Sequence, residues 1–165
     1  MPLGTQDFEK LRNFRALYVD KTQYIEKLTS IGNVFFLSRP HRFGKSLFLS
    51  TLKAYFEGKK ELFDGLYIAK VEAELARQQK REPWEARPVL YFDLNAKNYK
   101  NSDTLPNSLS AQLLDFEQLY NVERTENDPE NRFIKLIKTL YRETGKRVVI
   151  LVDEYDKPLL ETIEN

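Results

Sequence analysis

The sequence predicts an α/β fold, a parallel sheet flanked by helices, and three observations carry that reading. Continuous apolar runs of β-forming residues occur at 34–37, 89–94 and 148–152. Between them lie segments whose apolar residues recur every three to four positions, the spacing of a helix face. Strands that alternate with helices are joined by crossovers, and crossover connections make parallel sheets covered on both faces.

Each element has its own local signals. Asp20 precedes Lys21-Thr22-Gln23 and the apolar spacing Tyr24, Ile25, Leu28, so Asp20 as N-cap with Gln23 three residues on predicts a helix over 21–29. Ile31-Gly32-Asn33 interrupts it, and Val34-Phe35-Phe36-Leu37, bounded by that turn and by Pro40, reads as a buried strand. From Ser46 the residues Leu47, Phe48, Leu49, Leu52, Ala54, Tyr55 and Phe56 follow a helical rhythm that stops at Gly58. A charged, Ala-containing helix is expected over 71–80, and Pro83 and Pro88 frame the approach to the second strand, 89–94. Residues 95–104 are polar turn material. Two helices are then expected, at 105–121 and 129–143, the latter opened by Asp128-Pro129 and closed by Gly145. The third strand, 148–152, ends in Asp153-Glu154.

Composition narrows the function classes. The 165 residues suit one domain, and 41% hydrophobic content supplies an ordinary core. Charge is nearly balanced, with 26 Lys and Arg against 25 Asp and Glu, so no net field draws the chain to polyanions. The absence of cysteine excludes disulfides, thiol catalysis and cysteine-ligated metals from this segment. No basic cluster leads into an apolar core at the N-terminus, and no apolar run approaches spanning length, so a cytoplasmic, untargeted protein is expected.

Gly44-Lys45-Ser46 stands where a buried strand is expected to give way to an amphipathic helix. A helix start leaves backbone N–H groups without intrahelical acceptors and carries partial positive charge, so it binds phosphate with donors already in position. Gly44 lets the backbone approach closely, Lys45 brings a cation to the outer phosphates, and the Ser46 hydroxyl completes the shell of a bridging magnesium ion. These are the parts of a P-loop, G-x-x-x-x-G-K-[ST], except that Arg39 stands at the first glycine. Arg39-Pro40 makes the loop stiffer, and Arg39, His41 and Arg42 add positive charge near the phosphates, so the whole of Arg39, His41, Arg42, Phe43, Gly44, Lys45 and Ser46 is the candidate nucleotide-binding segment.

Ligands gather at the carboxyl ends of strands in open parallel sheets, and Asp153 and Glu154 lie at such an end. Asp153 suits a direct or water-mediated hold on magnesium, and Glu154 suits the general base that takes a proton from an attacking water. Glu154 is also compatible with a solvated role near a helix start, and Asp156 with capping a helix that begins near Pro158. His41 is the only histidine, so no multi-histidine metal site can be assembled; it fits a phosphate-loop contact or a solvated position equally well. Trp84 and most of Phe43, Phe48, Tyr55 and Phe56 read as packing residues, and the Lys59-Lys60 and Lys80-Arg81 pairs as solvated surface.

With R-P-H-R-F-G-K-S at 39–46 and V-D-E-Y-D-K-P at 152–158 both in place, the chain resembles the bacterial and archaeal AAA-ATPase-like family. F-E-K-L-R at 8–12, Y-V-D-K-T at 18–22, F-L-S-R-P at 36–40 and S-T-L-K-A-Y-F-E-G-K at 50–59 extend the likeness across most of the chain. The resemblance implies a P-loop NTPase using ATP and Mg2+, with Lys45 and Ser46 on phosphate and metal, Asp153 supporting the metal and Glu154 activating water. It accounts for Arg39, because the missing first glycine is typical of that family. It also implies a downstream PD-(D/E)xK nuclease-like domain as partner, and a further strand with a polar sensor residue after the acidic strand. The chain is therefore expected to be the N-terminal portion of a longer protein, with its sheet incomplete at the C-terminus and nucleic-acid contact confined to the downstream domain. The alternative function is a nucleotide-binding regulatory module that does not turn its ligand over.

Overall fold

A computed structural model describes residues 6–37, 44–95 and 103–157. The chain divides into two units, Met1–Ala86 and Arg87–Asn165.

The first unit is helical. Helix α1 (Phe8–Asn13) opens on Asp7, whose side chain accepts from the Lys10 amide, and it buries Phe8 completely. Six residues are too few for an apolar rhythm, so the periodicity did not predict α1; Asp7 ahead of Phe8 and Leu11 was its signal. Helix α2 is Gln23–Ile31, α3 is Lys45–Phe56, and a 3₁₀ turn at Lys60–Phe63 precedes α4 (Tyr67–Gln78). Phe8 stacks on Phe63 at 4.9 Å, and Phe63 meets Tyr55 and Trp84 at 6.1 and 5.3 Å, which makes an aromatic core and confirms Trp84 as a packing residue.

Asp20 does not cap the helix that follows it. Thr22 is the N-cap of α2, and Asp20 instead acts across 47 residues: its Oδ2 accepts from the Tyr67 amide at 2.7 Å, while Thr22 Oγ1 accepts from the Ile68 amide at 3.0 Å. The D-K-T segment thus supplies the cap that α4 lacks locally, where Leu66 precedes the helix. For that reason α4 begins at Tyr67, a turn before the predicted 71, since a cap brought from elsewhere in the chain is invisible to a local scan. Burial by itself would raise the Asp20 pKa, but the amides of Thr22 and Tyr67 and the Thr22 hydroxyl outweigh it and hold the carboxyl below its usual 3.8. A depressed carboxylate contributes stability that is present above its unfolded-state pKa and lost as pH falls through the folded one. Acid titration of the unfolding midpoint should therefore show a decline beginning near pH 4 that is smaller in Asp20→Asn.

Helix α3 is locked to α4 at its far end. Tyr55 Oη donates to Glu72 Oε2 at 2.7 Å, and Arg81 reaches both Glu72 Oε1 (2.6 Å) and Tyr55 Oη (2.8 Å). Burial, then the Glu72 hydrogen bond, pushes the Tyr55 hydroxyl pKa far up, so it remains a donor. The chain leaves α3 through Gly58 at φ +74°, where an added Cβ would lie 2.8 Å from the Trp84 carbonyl oxygen. Gly58→Ala meets strain and collision together, and is expected to destabilise by about 2–3 kcal/mol in denaturant titration.

The predicted strand at 34–37 is not formed. Among the described residues the sheet contains two strands, neither of which pairs with this run, and Val34 and Phe36 are 92% and 72% exposed. A strand exists only as one side of a hydrogen-bonded ladder, and an apolar run alone does not specify a partner.

The second unit is α/β. Strands β1 (Val89–Asp93) and β2 (Val149–Asp153) pair in parallel, with Val89 opposite Val149 through Asp93 opposite Asp153. Helices α5 (Thr104–Leu119) and α6 (Pro129–Thr144) complete it, each within two residues of its predicted bounds. Asp128 caps α6 through the Asn131 amide, Pro129 occupies its first turn and Gly145 ends it. Leu90 and Phe92 of β1 form one core with Leu113, Phe116, Leu136 and Leu140 of the two helices. Arg132 grips buried Glu117 with two hydrogen bonds at 2.9 and 2.8 Å and ties α6 to α5. Side chains of and just after α5 close the outer edge of β1: Tyr120 Oη bonds the Val89 amide and carbonyl, and Gln112 bonds those of Asp93. Side chains thereby satisfy the backbone at both ends of that edge.

Candidate functional site

The first group of candidate residues opens α3. Gly44 is its N-cap at φ +79°, a conformation that costs an L-residue about 1–2 kcal/mol, and an added Cβ would meet nothing within 4 Å. Backbone conformation, rather than room inside the fold, is what demands glycine here. Gly44 brings no side chain to the cap, and its carbonyl accepts from the Phe48 amide at 3.0 Å, so the helix begins at once with Lys45 and Ser46 in its first turn. Lys45 is 7% exposed and Ser46 half-buried. Arg39, His41, Arg42 and Phe43 lie outside the described residues.

The second group ends β2. Asp153 is the last strand residue, 4% exposed; its Oδ1 accepts from the Glu154 amide and its Oδ2 from the Tyr91 hydroxyl, both at 2.9 Å. Tyr91 pairs with Leu151, so Asp153 is its diagonal neighbour on the same face of the sheet, within reach of an aromatic side chain. Glu154 is half-buried and adopts φ +54°, the left-handed region. Its carbonyl accepts from the Lys157 amide, making a tight turn after the strand, and Lys157 Nζ reaches the Asn95 carbonyl at 2.6 Å, which joins that turn to the loop following β1. Asp156 lies in the turn, and the helix it was expected to cap lies outside the described residues.

Gly44, Lys45 and Ser46 belong to the first unit, and Asp153 and Glu154 to the second. Sequence reasoning missed Tyr91 and Asp93. Both stand in L-Y-F-D, whose parallel pairing with V-I-L-V-D sets its terminal aspartate opposite Asp153. The two matching aspartates were a signal, but only the register turns them into neighbours.

A parallel α/β unit with an acidic strand end, and a helix opened by glycine, lysine and serine, are features that nucleotide-binding proteins carry. The family model described as "Predicted AAA-ATPase" matches residues 2–165, and the chain belongs to that AAA-ATPase-like family. This membership supports an ATPase-like, nucleotide-using function in general terms. The chain is also 38% identical over 165 residues to "Uncharacterized protein in vnfD 5'region" of Azotobacter chroococcum mcd 1, an alignment that covers 99% of this chain and 30% of that relative's length. No solved structure matches significantly. Among the described residues no helix is long and apolar enough to cross a membrane.

Proposed function

We propose that this chain is the ATP-binding, magnesium-dependent NTPase portion of its protein, of P-loop type, acting in the cytoplasm. The observation that carries the proposal is the start of α3, where Gly44 sits at φ +79° ahead of a nearly buried Lys45. Amides at such a start point along the helix axis toward an anion, and Lys45 neutralises the outer phosphates. Arg39, His41, Arg42 and Phe43 form the rest of the phosphate-gripping loop in this reading.

Ser46 and Asp153 suit magnesium: both donors are oxygen, as a small hard cation requires. Asp153 accepts one hydrogen bond at each oxygen and retains lone pairs on both, which suits a hold through the ion's water ligands. When bound, magnesium supplies charge neutralisation on the phosphate oxygens. Glu154 accepts the proton of the attacking water, and its left-handed backbone is the kind of local strain that collects at functional positions. The remaining length of the protein, seen in the relative of which this chain spans 30%, is assigned in this proposal to a downstream, nuclease-like partner domain.

Magnesium and ATP together should raise the thermal unfolding midpoint in proportion to the logarithm of ligand concentration above Kd, and an unchanged midpoint at millimolar ATP counts against the site. Tyr91 provides a finer test. Tyr91→Phe removes the donor that fixes Asp153 Oδ2, and loss of such an orienting partner typically costs about 10–100-fold in metal affinity or activity. Phosphate release by this variant should need more magnesium for half-saturation, whereas an unchanged magnesium dependence would show that Asp153 needs no such support.

A further inference from the structure

Glu154 is pinned through its backbone on both sides. Its amide donates to Asp153 Oδ1 at 2.9 Å, and its carbonyl accepts from the Lys157 amide at 3.1 Å. Between these two bonds the chain takes φ +54°, a conformation that a residue with a side chain keeps only where its surroundings enforce it. Two bonds within a turn do not set where that turn lies relative to the neighbouring strand. A contact from the β1 side is needed for that.

Lys157 makes the contact. Its side chain is half-buried, and its ammonium donates to the Asn95 carbonyl at 2.6 Å and to Asn95 Oδ1 at 3.1 Å, across 62 residues of chain. The acceptor residue is itself held. The Asn95 amide donates to Asp93 Oδ1 at 2.8 Å, the Leu94 amide to the Asp153 carbonyl at 3.2 Å, and Gln112 of α5 bonds the Asp93 amide and carbonyl. A cation that makes two hydrogen bonds to one fixed residue tethers the turn instead of dissolving into solvent.

We propose that Lys157 is a positioning residue for the activation of water: its tether to Asn95 holds the Glu154 turn at the carboxyl ends of β1 and β2. A proton acceptor works only within hydrogen-bond reach of the water, and a displacement of about 1 Å can cost about 100-fold in rate. Lys157 acts through Glu154 and is given no contact with nucleotide or water. Its signature is therefore a loss of turnover at unchanged nucleotide affinity. The inference rests on Glu154 as the proton acceptor.

The test is phosphate release from magnesium ATP by the full-length protein. Lys157→Met keeps the aliphatic stem and removes the donors, and should lower kcat about tenfold with KM within about twofold. Lys157→Arg keeps charged donors and should recover kcat to within about threefold of wild type. Asn95→Ala, which removes only the side-chain acceptor, should lower kcat about threefold and carries the test if Lys157→Met does not fold. In a Glu154→Gln background, adding Lys157→Met should change kcat by less than about twofold, because nothing is left to position. An unchanged kcat in Lys157→Met, a raised KM at wild-type kcat, or an equal loss in both backgrounds overturns the proposal while Glu154 keeps its role. A wild-type rate in Glu154→Gln removes the role of Glu154 and this inference with it.

Discussion

Lys45→Ala is expected to weaken magnesium ATP binding by about 30–1000-fold and to reduce phosphate release to background, the largest loss any single substitution in the first unit should produce. The magnitude follows from the charge. Hydrogen bonds to ionised groups contribute about 1.5–3 kcal/mol each, an ammonium against phosphate makes more than one, and every 1.4 kcal/mol is a factor of ten. Lys45 is also nearly buried in the first turn of α3, so its removal changes packing as well as charge. Lys45→Met separates the two effects, because it keeps most of the aliphatic stem and none of the charge. Equal loss of affinity in Met and Ala variants, with unfolding midpoints near wild type, assigns the effect to the cation. Near-normal binding by Lys45→Met would assign it to packing and remove the lysine from the phosphate site.

The second large effect is expected at Glu154 and has the opposite signature. Glu154→Gln keeps the shape and removes the proton acceptor, so nucleotide affinity should stay within about threefold while turnover falls by about 10²–10⁴-fold, the range of general-base catalysis. The backbone at φ +54° allows an independent check. Glu154→Gly relieves left-handed strain worth about 1–2 kcal/mol and should raise stability while losing the same activity. A glutamine variant with the wild-type rate would place proton transfer elsewhere. If wild type itself binds ATP without releasing phosphate beyond Lys45→Ala, the chain is the nucleotide-holding module that the sequence left as its alternative.

The second unit was nearly all legible in the sequence because its signals are local. Asp128-Pro129 and Gly145 bound α6 within the chain's own neighbouring residues, and the 89–94 and 148–152 runs became paired strands with boundaries shifted by one residue. The first unit was less legible because its determinants are distant in sequence. Asp20 and Thr22 cap a helix more than 40 residues away, α1 is too short for periodicity, and the 34–37 run has the composition of a strand but no ladder among the described residues. At the candidate site, the sequence reading singled out Lys45, Asp153 and Glu154 but passed over Asp93, which the register sets opposite Asp153. It missed Tyr91, whose hydroxyl reaches Asp153 only through the register of a parallel pair 60 residues apart in the chain. It read Gly44 as a point of close approach to a ligand, and the structure adds a separate reason for glycine there, its positive φ.

In the proposed function, nucleotide phosphates are gripped where α3 begins, and backbone amide shifts followed by NMR during a magnesium ATP titration observe the donors themselves. The amides of Gly44, Lys45 and Ser46 should move furthest and saturate together, and should stay still in Lys45→Ala over the same concentrations. Saturable binding whose largest shifts lie elsewhere, with those amides unmoved, would place the phosphates away from the start of α3.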